Sequence, residues 1–319
     1  MRPRILISAP YAMPVIQRYR FELERAGCEI VVASVRERLE EAQLLELVPT
    51  IDGIICGDDR ITERVLAAAS RLKVISKWGT GIDSIDVDAA AKRGIPVRNT
   101  PNAFSEPVAD TVLGYLLLHA RKAIQMDTAI RKGEWIKPQL VAVRELTLGV
   151  IGVGNCGKAV VRRAIGFGAR ILGNDVVEMP EGFLESVPIE MTSFEDLLRR
   201  SDVVSVHTTL NPTSAHLLNE AAFSLLKSGA FVINTARGPI IDQSALIRAL
   251  ESGKISGAAL DVFEDEPLPL DSPLRRFPNC WMAPHNANSS PEAVERVHRN
   301  TIAQLLEVLG GHFPNLIRA

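Results

Sequence analysis

The 319-residue chain has no surplus of charge of either sign: 36 Lys and Arg stand against 38 Asp and Glu, a formal net of −2. Nucleic acids and anionic membranes are recognised through basic patches, so neither is an expected partner, and a small molecule is. CxxC pairs are also missing. Cys28, Cys56, Cys156 and Cys280 fall singly on apolar stretches. That pattern predicts reduced, mostly buried thiols in a cytoplasm and neither a disulfide framework nor a bound metal. No apolar run reaches the ~18 residues that cross a bilayer, and the opening "MRPRILISAPYAM" enters strand-like sequence without the apolar region of a signal peptide. A soluble, intracellular protein is the expectation.

What the chain does contain is core. With 46% hydrophobic residues over 319 positions, it can bury two domains of ordinary size. Short apolar runs alternate with helical patterns throughout, which predicts an α/β architecture with parallel sheets. "RILIS" (4–8), "EIVVAS" (29–34), "DGIIC" (52–56) and "KVIS" (73–76) predict one four-stranded sheet. "LTLGVIG", "RILGND", "DVVSVHT", "AFVINTA", "GAALDV" and "CWMAPH" predict a second sheet of six. Residues Ser105 to Lys122 read as a helix apolar nearly all round, hence buried. A final amphipathic helix is expected over about Ser290 to Leu309.

The most informative stretch is "LTLGVIGVGNCGKAVVRRAIGFGARILGND", Leu146 to Asp175. Gly152, Gly154 and Gly157 spell GxGxxG after a strand and before a helix. The first glycine permits the tight turn, the second lets backbone approach a pyrophosphate, and the third lets helix and strand pack closely. The helix N-terminus then stabilises phosphate charge. Asp175 ends the second strand, where a carboxylate accepts hydrogen bonds from ribose hydroxyls and repels a 2′-phosphate. NAD is therefore expected over NADP. Such a fingerprint ordinarily sits near the start of its domain, yet here 145 residues precede it.

The blocks "KWGTGIDSID", "VADTVLGYLLLHAR", "GVIGVGNCGK", "VINTARGPIIDQSALIRAL", "GAALDVFEDEP" and "APHNAN" make the chain resemble the D-2-hydroxyacid dehydrogenase family, which includes phosphoglycerate dehydrogenases. The resemblance accounts for the late fingerprint. It implies two doubly wound parallel-sheet domains, with a Rossmann NAD domain (100–285) inserted into a flavodoxin-like substrate domain (1–99 and 286–319). The active site would lie in the cleft between them.

Interconversion of a D-2-hydroxy acid and its 2-keto acid needs a cation for the carboxylate and carbonyl, a proton donor or acceptor, and a nicotinamide. Arg237 in "NTARGP" suits the first role, because a guanidinium fork grips a carboxylate at two points and keeps its charge. His285 in "APHNAN" suits the second, since imidazole titrates near neutrality. The resemblance makes Glu266 the partner of His285, where its charge would favour imidazolium. The neighbouring Glu264 and Asp265 are read as solvated turn charges. Also implied are cofactor contacts from Thr80, Asn155, Cys156, His207, Thr208, Thr235, Ala236, Asp261 and Asn288, beside the three glycines and Asp175. His119, His216, His298 and His312 are read as structural or surface residues.

For the substrate, "KWGTGID" is expected to offer the backbone N–H groups of Trp78, Gly79 and Thr80, with Asn102 nearby. Lys77 is either a cation for an anionic substrate or a solvated lysine. Phosphoglycerate dehydrogenases tend to carry an arginine after the third strand, but this chain reads "ICGDDRIT". Asp58 and Asp59 disfavour a phosphate there unless Arg60 reaches it, so a small glycerate-like acid is favoured over 3-phosphoglycerate. Two other readings stand beside this one: an NAD-sensing corepressor-like module, and a formate- or phosphite-type dehydrogenase. The resemblance further implies a homodimer through the NAD domain, where "RKGEWIKPQLVAV" (131–143) places apolar residues in a loop.

Overall fold

In the computed structural model, which describes residues 2–310, the chain forms two compact units. One runs from the start of the chain through Ala103 and resumes at Ser290; the other is Phe104–Ser289.

The first unit holds five parallel strands: β1 (Arg4–Ile7), β2 (Glu29–Val32), β3 (Gly53–Cys56), β4 (Val74–Lys77) and β5 (Val97–Arg98). Their order is β2-β1-β3-β4-β5, the flavodoxin-like arrangement. Central β3 and β4 are buried along their whole length, as parallel strands covered on both faces must be. The last helix, Pro291–Val308, packs on this sheet through Val297, Ile302, Leu305 and Leu306. Four strands are expected from the sequence, and β5 is the addition. At two residues it is too short to carry a pattern.

In the second unit the strands are β6 (Thr147–Ile151), β7 (Arg170–Asn174), β8 (Ile189–Met191), β9 (Val203–Val206), β10 (Ala230–Asn234), β11 (Ile255–Leu260) and β12 (Cys280–Met282). All pair in parallel in the order β12-β11-β10-β9-β6-β7-β8, so that the strand order reverses beside β6, where the glycine fingerprint follows. Here the sequence predicts six strands and misses β8, a half-exposed edge strand. Two hydrophobic clusters line this unit. One gathers Val204, Val206, Leu246 and Leu260, and the other joins Leu148, Val150 and Phe231 to the helices Ser105–Ala120 and Asn155–Gly166.

One expectation for the segment 105–122 is corrected. Helix Ser105–Ala120 is not buried all round: Glu106, Asp110 and Gly114 form an exposed strip, and Arg163 of the neighbouring helix spans the first two carboxylates at 2.5 and 2.6 Å. Beyond it the chain turns at Lys122, in the left-handed region, into a separate helix, Ala123–Arg131. No helix among the described residues is long and apolar enough to cross a membrane. All four cysteines are free, three of them buried and Cys156 half-buried.

Candidate active site

The glycine turn after β6 is built for a ligand that brings phosphates. Gly152 sits at φ +89°, and a Cβ there would meet His207 C and Thr208 N at 2.7 Å. At Gly157 a Cβ would overlap the Gly152 carbonyl, so helix Asn155–Gly166 starts directly on the turn. By contrast, nothing lies within 4 Å of where a Gly154 side chain would be. That open space at a helix N-terminus fits a pyrophosphate. Cys156 is turned onto Ser105, its Sγ 3.5 Å from the hydroxyl, and Asn155 is exposed.

Asp175 follows β7 and is held by the backbone: one oxygen accepts from Val153 N at 2.6 Å, the other from Val177 N at 2.9 Å. A carboxylate offers about four acceptor positions, so two stay available to hydroxyl donors. Further along the same strand ends, the Thr235 hydroxyl is buried without a protein partner among the described residues. An orphaned buried hydroxyl is costly unless something else satisfies it, and a bound cofactor would. His207 bonds Ser205 Oγ through Nε2 at 2.8 Å, and loss of solvent around its ring holds its pKa down to about 4. The imidazole beside the turn is thus neutral at physiological pH and adds no charge. Thr208, Ala236 and Asn288 are half-buried.

Arg237, His285 and Glu266 all come from loops at the carboxyl ends of β10, β11 and β12, where open α/β sheets bind ligands. The Arg237 turn is braced by Asn234, whose side chain donates to Arg237 O at 2.9 Å and accepts from Ala236 N at 3.0 Å. Nη1 of Arg237 also reaches Ala236 O at 2.8 Å. Glu266 Oε1 accepts from Phe263 N at 2.9 Å, while Oε2 lies 2.9 Å from Nδ1 of His285. This carboxylate fixes the imidazole with its proton on Nδ1. Glu264 is not a solvated turn charge, as the sequence predicts: it accepts from Gln243 N at 3.0 Å and stands 3.1 Å from His216. Asp265 is exposed.

His285 itself has φ 52°, left-handed for a non-glycine residue, at a cost of order 1–3 kcal/mol. Asp261 offsets it. The carbonyl of Asp261 accepts from His285 N at 2.7 Å, and its two carboxylate oxygens accept from Asn286 N and Ala287 N at 2.9 and 2.8 Å. Burial raises the pKa of that carboxyl, and the two amide bonds oppose the rise. Asp261 therefore holds the histidine loop, and only its remaining lone pairs can serve a cofactor. Both Asn234 and this use of Asp261 escape a sequence reading, although polar residues ending buried strands are the signal that could flag them.

The first unit has its own loop at the end of β4. Trp78 N donates to Cys56 O at 2.9 Å, so this amide is engaged in the sheet and, contrary to the expectation, is not offered to a substrate. Gly79, at φ +123°, and Thr80 have backbone N–H groups with no protein acceptor among the described residues. Thr80 Oγ1 donates to Thr100 O at 3.0 Å. Trp78 contributes its ring instead, stacked on Tyr11 with centroids 4.6 Å apart and donating through Nε1 to His298 Nδ1 at 3.0 Å. Asn102 is exposed in the left-handed region. Lys77 is buried rather than solvated, its ammonium 3.0 Å from Asp58. His119 and His298 are structural, the first stacked on Phe231; His312 lies outside the described residues.

A doubly wound sheet carrying a dinucleotide turn, an acid at the second strand and a histidine–carboxylate pair defines an NAD-dependent dehydrogenase. Residues 113–287 match the model of the D-isomer specific 2-hydroxyacid dehydrogenase NAD binding domain. Glyoxylate reductase of Thermofilum pendens is 36% identical over 98% of this chain and 93% of its own. D-3-phosphoglycerate dehydrogenase of Methanocaldococcus jannaschii is 37% identical over 97% of this chain, which spans only 58% of that relative. Among solved structures, D-lactate dehydrogenase of Aquifex aeolicus, complexed with NAD and lactic acid, superposes with a TM-score of 0.85 at 29% identity, covering 98% of each chain. The chain belongs to the D-isomer specific 2-hydroxyacid dehydrogenases.

Proposed function

We propose that the protein interconverts a small, unphosphorylated D-2-hydroxy acid and its 2-keto acid, with Arg237, Glu266 and His285 as its catalytic residues. The observation that carries this reading is the His285–Glu266 contact of 2.9 Å, on loops that share the carboxyl ends of the sheet with Arg237. NAD, when bound, supplies or accepts the hydride. His285 Nε2 gives the proton to the carbonyl oxygen in reduction and takes it back in oxidation, while Glu266 holds Nδ1–H and stabilises the imidazolium. Arg237 binds the carboxylate and polarises the carbonyl. The Gly79 and Thr80 amides are the proposed donors to an anionic group of the substrate. Support for a small substrate comes from glyoxylate reductases and a hydroxypyruvate reductase among the relatives. An NADH-oxidation assay with glyoxylate, hydroxypyruvate, 3-phosphohydroxypyruvate and bulkier keto acids tests it; turnover of none of them would refute it.

Asp175 should set the cofactor. A 2′-phosphate placed against its carboxylate is repelled, so NADH should surpass NADPH in kcat/KM by about tenfold or more. Asp175→Ser should narrow that gap. Equal use of both cofactors by the unaltered protein would sink the assignment.

The proposed assembly is a cytoplasmic homodimer through Phe104–Ser289. Trp135 is 80% exposed, and Ile130 and Ile136 are exposed beside it in sequence; an apolar patch of this kind ordinarily marks a contact surface. Light scattering should give roughly twice 34.8 kDa, and Trp135→Asp should shift the protein toward monomer. A monomer at micromolar concentration would rule the dimer out.

A further inference from the structure

Lys77 is the only Lys or Arg buried among the described residues. It ends β4, two positions before the unengaged Gly79 amide, and its ammonium is held on one side by Asp58 Oδ1 at 3.0 Å and on the other by Trp78 O at 3.2 Å. Asp58 follows β3, the neighbouring strand, and its side chain is 34% exposed while that of Lys77 is 5% exposed. The acid is thus the more exposed member of the pair. The adjacent Asp59 cannot take its place, because its carboxylate is fully buried, accepting from Ser8 Oγ and, at 2.6 Å, from Leu39 N. Nor can another cation enter from position 57, where a side chain would meet Pro10 Cδ at 2.9 Å.

We infer that Asp58 is a specificity-determining residue: by neutralising Lys77 at the strand ends of the first unit, it withholds that charge from a second anionic group on the substrate and restricts the enzyme to unphosphorylated 2-keto acids. A buried ammonium needs a counterion, and Asp58 is the counterion supplied by the fold. With Asp58 in place, a phosphate reaching this loop meets a lysine already engaged by a carboxylate. Without it, the phosphate itself becomes the favourable partner for Lys77. This inference rests on the 2-keto acid reading above.

Hydroxypyruvate and 3-phosphohydroxypyruvate differ only by the phosphate, so the ratio of their kcat/KM values isolates the effect. The wild-type enzyme should favour hydroxypyruvate. In Asp58→Asn the ratio should move toward the phosphorylated compound by about tenfold or more, and in Asp58→Asn/Lys77→Met it should return. The shift should shrink as ionic strength rises, because a newly exposed charge is screened; a merely structural contact would show no such dependence. NADH affinity and melting temperature verify that each variant is folded, and Asp58→Ser replaces Asp58→Asn if the latter does not fold. An unchanged ratio in a folded Asp58 variant, the same shift in the Lys77→Met background, or a wild-type preference for the phosphorylated compound would each overturn the proposal. Failure of the wild type to reduce either compound or glyoxylate would instead strike the 2-keto acid reading, and this inference with it.

Discussion

Replacing His285 with alanine should lower turnover by about 10²- to 10⁴-fold, the usual contribution of general acid–base catalysis, while leaving NADH binding nearly intact. The separation follows from the fold. The glycine turn and Asp175 depend on β6 and β7 and are tied to each other, Gly152 N donating to Asn174 O and Val153 N to Asp175. Arg237→Ala should show a loss of similar size, and Arg237→Lys should recover little of it, since a point charge cannot reproduce the two-point fork. Glu266→Gln separates orientation from charge: the amide can still accept from Nδ1–H, but the charge favouring imidazolium is gone. The pKa governing His285 should therefore fall. Reduction needs the protonated ring, so its alkaline limb should move to lower pH; oxidation needs the neutral ring, and its acidic limb should move the same way. Stopped-flow turnover with separate NADH titrations checks these outcomes. A His285→Ala enzyme with wild-type turnover and pH profile would place the proton donor elsewhere.

The residues of this proposal stand out in the sequence because their signals are local. The turn at Gly152–Gly157, its flanking strand and helix, and the terminal Asp175 lie within one stretch of sequence, and so does the "NTARGP" turn. Buried strands such as "AFVIN" declare themselves by continuous apolar character. What escaped notice depends on partners distant in sequence. The Trp78 amide is engaged because β3 and β4 pair Cys56 with Lys77, a register no local pattern encodes. Likewise Lys77 reads as a candidate substrate cation until the same pairing sets it beside Asp58. β5 and β8 are edge strands of two and three residues, too short for periodicity. Helix 123–131 is absent from the sequence reading, and the chain enters it through Lys122 at φ 47° without the glycine or proline that ordinarily marks such a turn.

Gly238→Ala should be nearly as damaging as loss of the triad, although the residue bears no functional group. It follows Arg237 directly, and a Cβ at this position would overlap the carbonyl carbon and oxygen of Phe263 and crowd Glu264 N. These are backbone atoms, so no rotamer change can relieve the overlap; one loop must move off the other. Arg237 rides on the first loop, and Glu266, anchored by the Phe263 amide, on the second. A displacement of about 1 Å at such a site costs on the order of 10²-fold, and kcat/KM should fall by at least that much. Because Gly238 and Ile240 are buried at the edge of the core, the melting temperature should fall as well. Activity should nevertheless be lost well below the new melting temperature, which distinguishes misalignment from unfolding. Gly238→Ala with kcat/KM within a few-fold of wild type would show that the two loops are not held in register by this contact.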